Sequence, residues 1–92
     1  MDLDKVVPRR KQVPWRALDT EALVVNVKTG MLYPLNSVGT RIWELCDGER
    51  TLAEIVAALA AEFEADERTI REDAERFIVE LAEASLVSLD GR

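Results

Sequence analysis

The sequence predicts an α+β domain in which one small antiparallel sheet is followed by three helices packed against it. Three observations carry this. Apolar residues alternate with a period of two between residues 15 and 35. Their spacing then changes to three or four from residue 36 onward, the period of a helix with one buried face. Gly30, Asn36, Asp47-Gly48 and Asp66 fall at the joints between these segments, where turns and caps need them. The 92 residues fit one domain. A domain of this size hides roughly 60–65% of the surface its unfolded chain exposes, so its core is thin and leaves little room for a deep pocket.

Residues 1–12 are polar, charged and interrupted by Pro8, and read as a flexible N-terminal arm ahead of a folded domain spanning 13–92. Trp15 to Leu18 is the first short strand. Glu21 to Val27 is rich in β-branched residues and sets Leu23, Val25 and Val27 on one face. Lys28, Thr29 and Gly30 form the turn, with Gly30 able to take positive φ. Met31 to Leu35 returns as the third strand, with Tyr33 in phase with Met31 and Leu35 and packed inward. Pro34 donates no hydrogen bond, which confines this strand to a sheet edge. An edge proline is also a common guard against aggregation.

The helices carry clear start signals. Asn36 and Ser37 suit an N-cap, Val38, Ile42 and Leu45 form the inner stripe, and Asp47-Gly48 ends the first helix. Thr51 and Glu54 make a capping box for the second, whose inward residues are Leu52, Ile55, Val56, Leu59 and Phe63. Asp66 caps the third, with Ile70, Ala74, Phe77, Ile78 and Leu81 inward. Trp43 and Phe77 read as core residues. Leu86 to Leu89 is a short closing strand.

Composition limits the chemistry. A hydrophobic content of 48% with 33% charged residues describes a folded soluble domain. The absence of histidine removes the commonest general base and zinc ligand. Cys46 is the single cysteine, lies in a helical pattern beside Trp43 and Leu45, and reads as a partly buried side chain. No cofactor is expected and no catalytic residue is assigned. No apolar run approaches the roughly 18 residues of a membrane span, and no secretory signal opens the chain, so a cytoplasmic protein with no membrane partner is expected. The net charge of −6 is uneven. Residues 1–20 hold five basic against three acidic residues, and residues 51–92 four arginines against eleven acids. The basic arm reads as a solvated tail.

The stretch from Leu35-Asn36 through Ile42-Trp43-Glu44-Leu45, Asp47-Gly48 and Thr51 to Glu54-Ile55 resembles the PqqD-like family. The hairpin before it and the Asp73, Phe77, Leu81 and Leu86-Val87 spacing after it extend the likeness over residues 13–89. Ser85 departs from the glycine that many members carry there. The resemblance implies a winged-helix-like fold and a non-catalytic recognition element for ribosomally synthesised, modified peptides. Such an element binds the leader of a precursor peptide and presents it to a tailoring enzyme, often a radical S-adenosylmethionine enzyme. The leader adds as a strand beside the third strand, in a groove walled by the third helix. On this sequence the implied peptide-binding residues are Met31, Leu32, Tyr33, Pro34 and Leu35 on the strand, and Arg68, Arg71, Ala74, Glu75 and Ile78 on the helix. Because Pro34 has no N–H to give, its position faces away from the hairpin partner. Leu32 then shares that outward direction, while Met31, Tyr33 and Leu35 bond to the preceding strand.

The alternative is a DNA-binding winged helix, since the fold is shared with transcription factors. Residues 66–84 carry seven acids against three arginines, which phosphates would repel, so no nucleic-acid partner is expected. A stand-alone enzyme ranks third. An open edge strand could also pair with its own copy, which leaves a homodimer open.

Overall fold

The computed structural model describes residues 3–91. A 3-10 turn at Leu3–Lys5 leads into strand β1, Val6–Arg10. Strands β2 (Trp15–Leu18), β3 (Glu21–Asn26) and β4 (Met31–Leu35) form an antiparallel sheet in the order β2-β3-β4. Helices α1 (Ser37–Leu45), α2 (Leu52–Phe63) and α3 (Glu67–Glu83) follow. Strand β5, Val87–Gly91, pairs antiparallel with β1 in a second, two-stranded sheet. The α+β order of a three-stranded sheet followed by three helices is the one expected.

Each helix starts where its cap satisfies backbone N–H groups that have no partner within the helix. The Asn36 side chain accepts from the Gly39 N–H at 2.8 Å. Thr51 Oγ1 accepts from the Glu54 N–H at 3.2 Å, and Glu54 Oε1 accepts from the Thr51 N–H at 2.8 Å. Asp66 accepts from the Thr69 N–H at 3.3 Å. The core has two parts. Ile42, Leu45, Leu52, Ile55, Val56, Leu59, Ile70, Ala74 and Ile78 meet between the helices. Ala22, Val24, Leu35, Trp43, Leu81, Leu86 and Val87 lie between the helices and the sheet.

The N-terminal reading is corrected. Val6–Arg10 is a strand with Val6, Val7 and Pro8 buried, not part of a solvated arm. Its partner β5 lies at the far end of the chain, so nothing local announces the pairing. Pro8 is tolerated because its carbonyl accepts from the Gly48 N–H at 3.0 Å. That places its missing N–H on the side away from β5. Arg10, expected in a tail, donates through Nη1 to the carbonyls of Trp43 (2.9 Å) and Glu44 (2.7 Å), which closes the C-terminal end of α1. Met1, Asp2 and Arg92 lie outside the described residues.

Other side chains also moved. Leu23, Val25 and Val27 do share a face, but the core takes the other one, through Ala22, Val24 and Asn26. Asn26 is buried because its amide donates to the Ala84 carbonyl at 2.9 Å while its side-chain oxygen accepts from the Lys28 N–H at 3.0 Å. Met31 lies on the inner side with Tyr33 and Leu35 but is 55% exposed, since it sits beside the hairpin turn, at the end of the sheet. Phe63, at the last turn of α2, is 38% exposed. Helix α1 ends at Leu45 with Cys46 as its C-cap, and Gly48 takes φ +79 in the turn beyond.

Candidate functional site

Strand β4 is an edge, and its outward-pointing groups follow from the sheet's own bonds. The Val25 N–H donates to the Pro14 carbonyl at 2.9 Å, so Val25 turns its backbone toward the β2 side. In the β3–β4 pairing Val25 lies opposite Leu32 and Leu23 opposite Pro34. These pairs therefore exchange no backbone bonds, and Leu32 and Pro34 present their backbone to the open side. Pro34 offers a carbonyl alone. The outward groups of β4 are thus one N–H, from Leu32, and two C=O groups.

Beside this edge runs a groove of about 320 Å³, lined by Pro34 and Leu35 of β4, Val38, Gly39 and Ile42 of α1, and Ile70, Asp73 and Phe77 of α3. Its floor is apolar. Its rim carries the Asp73 carboxylate, which accepts from Arg76 at 2.7 Å. Gly39 keeps the groove open: a Cβ there would stand 3.4 Å from Phe77 Cζ and 3.3 Å from the Asn36 cap oxygen.

Of the strand residues expected at the site, Pro34 and Leu35 line the groove, and Met31, Leu32 and Tyr33 lie along the strand beyond it. Leu32, at 57% exposure, and Pro34 are open to solvent, Tyr33 is half-buried, and Leu35 is buried beneath the groove. The helix residues expected there do not line the groove. Ala74 and Ile78 are fully buried in the inter-helix core and have no surface to offer. Arg71 turns to the opposite flank, where its guanidinium holds Asp4 and Glu67, each at 3.1 Å. Arg68 pairs with Glu72 at 3.7 Å and is mostly solvated. Glu75, four residues after Arg71, shares that far flank. Residues missed from sequence are Ile70 and Asp73 on α3, with Val38, Gly39 and Ile42 on α1. Phe77, read as core, is half-buried and lines the groove. The i, i+4 spacing of Asp73 and Phe77 beside the buried stripe was the available signal.

Across the fold, Arg9, Arg10 and Lys11 line a polar hollow of about 450 Å³ that reaches Cys46 and Asp47. Burial pushes the Cys46 thiol up to about 12, far from the range of a nucleophile. Burial also raises the Asp47 carboxyl, but N–H donation from Glu49 and Arg50 and the Arg50 charge outweigh it and hold the group below its ordinary value. Among the described residues no group of three or more histidine, cysteine, aspartate or glutamate side chains could hold a metal ion. No described helix is long and apolar enough to cross a membrane.

The family model of Coenzyme PQQ synthesis protein D (PqqD) matches residues 21–87. Among solved structures the chain is similar to TbiB1, determined in complex with the TbiA(beta) leader peptide. The two are 31% identical with a TM-score of 0.78, over 87% of this chain and 94% of that one. No curated protein matches the chain.

Proposed function

From the chain's membership of the PqqD family, to which it belongs, we propose that it is a non-catalytic adaptor for a ribosomally synthesised precursor peptide. The leader of that peptide adds as a strand to the Met31–Leu35 edge, and the adaptor presents it to a peptide-modifying enzyme of the radical S-adenosylmethionine class. One observation carries the reading: an open edge with the Leu32 N–H directed outward lies against an apolar groove. Backbone bonds at such an edge hold an extended peptide of almost any sequence, while a side-chain pocket beside it selects among them. The likeness to TbiB1, solved with a leader peptide, supports a leader-binding role.

In this reading the helix side of the site is Asp73 and Phe77, which line the groove, rather than Arg68, Arg71 and Glu75. The protein acts in the cytoplasm, where precursor and enzyme are made. Calorimetry with the synthetic leader of this chain's own precursor peptide tests the reading. Saturable binding is expected, with none to duplex DNA at physiological salt. Sequence-selective DNA binding with no leader binding would replace the adaptor with a winged-helix regulator.

A further inference from the structure

The outer face of the three-stranded sheet is apolar and uncovered. Register places Leu18 of β2, Leu23 and Val25 of β3, and Leu32 and Pro34 of β4 on this side, with Val27 just beyond β3. Leu18 is 52% exposed and Val27 67% exposed. Antiparallel sheets with one wet face ordinarily carry polar residues there, yet within these strands only Arg16 and Glu21 interrupt the apolar run. A contiguous apolar face of this kind can meet a partner when a neighbouring surface extends it.

Its position says which partner. The inner face is taken by the helices and the β4 edge by the proposed leader. Leu32 and Pro34 belong to both the edge and the outer face. A strand added beside β4 continues the pleat, so alternate side chains of the guest rise on the outer side next to Leu32 and Pro34. We propose that this face docks the enzyme that acts on the delivered peptide, through an apolar surface of that enzyme, and that the bound leader supplies the fourth strip of the platform. The inference rests on the leader-binding reading above.

Charge decides against a second copy, and area shows how weak the bare face is. Three strands about 4.8 Å apart and roughly five residues long span about 14 by 17 Å, or ~240 Å². A stable pair needs about 800 Å² from each partner. Two copies would also each carry a net charge of −6, which opposes self-association. The bare face is therefore a weak platform, and leader binding enlarges it by about a third. Enzyme docking is coupled to the presence of cargo.

The test uses the synthetic leader and the purified enzyme that modifies its precursor. The double variant Leu23→Glu with Val25→Lys alters the outer face alone. It should keep leader affinity within about twofold and lose capture of the enzyme by at least about tenfold, a loss typical of a central interface contact. Leu18→Glu with Val27→Lys, at more exposed positions, serves if the first variant does not fold. In the wild type, enzyme capture should strengthen when leader is present. The proposal is overturned if both variants capture enzyme as the wild type does. A wild-type dimer in light scattering that either variant dissolves would also overturn it, by assigning the face to a second copy. Absence of leader binding to the wild type is a different result. It would sink the adaptor reading itself, and the platform with it.

Discussion

The backbone of β4 makes a prediction at single-amide resolution. Leu32 lies opposite Val25, whose N–H is already given to the Pro14 carbonyl, so the Leu32 amide has no partner across the hairpin. Tyr33, opposite Val24 in the alternate register, exchanges bonds with β3. Hydrogen exchange followed by NMR should find Leu32 fast and Tyr33 slow in the protein alone. Leader at one hundred times its Kd leaves about one molecule in a hundred unbound. The Leu32 amide should then slow about 100-fold, equivalent to about 2.7 kcal/mol. Tyr33 should gain far less, because its bond exists before the leader arrives. Leu32 is the sole outward N–H on β4, so no second amide of that strand should show the full effect. Calorimetric binding without slowing at Leu32 would refute strand addition at this edge. Tyr33 fast and Leu32 slow in the protein alone would refute the register.

Other consequences can be measured alongside. Phe77 is half-buried, so Phe77→Ala should cost about 2 kcal/mol, below the 3–5 kcal/mol of a fully buried phenylalanine, and should also weaken leader binding. Arg71→Ala, on the far flank of α3, should leave leader affinity within about twofold. Titrating both variants against the same leader checks the groove assignment, and a larger loss at Arg71 than at Phe77 would reverse it. Ser85 holds φ +61, a left-handed conformation costly to side chains. Ser85→Gly should therefore stabilise the fold by about 0.5–1 kcal/mol after the entropy of glycine is counted, raising Tm by several degrees in a thermal melt. Burial raises the Cys46 thiol from 9.0 to about 12. The unfolded chain thus loses its proton first as pH rises. Stability should be unaffected below about pH 9 and fall by up to ~1.4 kcal/mol per unit from there toward 12. Wild type and Cys46→Ala should differ by a constant packing loss up to about pH 9, because the side chain is fully buried, and denaturant titrations should show that difference shrink only in the alkaline window.

Much of the fold was legible because local chemistry dictates it. The caps at Asn36, Thr51 and Asp66 act on N–H groups three residues ahead, and the apolar stripes of α2 and α3 lie within single helices. Pro34 announced an edge because a residue without an N–H is tolerated only where none is owed. The edge half of the candidate site, Met31 to Leu35, could therefore be read directly. The helix half could not. Which flank of α3 borders the groove depends on how α1 and β4 pack against it, and the sequence offers charged residues on both flanks alike. Arg71 is spent on Asp4, 67 positions away, and Ala74 and Ile78 are closed off by helices remote in sequence.

Long-range pairing also decided the chain's ends. Val6 to Pro8 resembles any short apolar run until β5 arrives to bond with it, and Asn26 reads as a surface residue until the Ala84 carbonyl takes its amide. By itself the sequence determined the strands of the hairpin, the three helices, the edge and the family resemblance, since each depends on residues within a turn or two of one another. Tertiary structure alone decided the β1–β5 sheet, the inner and outer faces of β3, and the wall of the groove. Each of those depends on which distant surface reaches a residue first, and burial is settled only when that surface is in place.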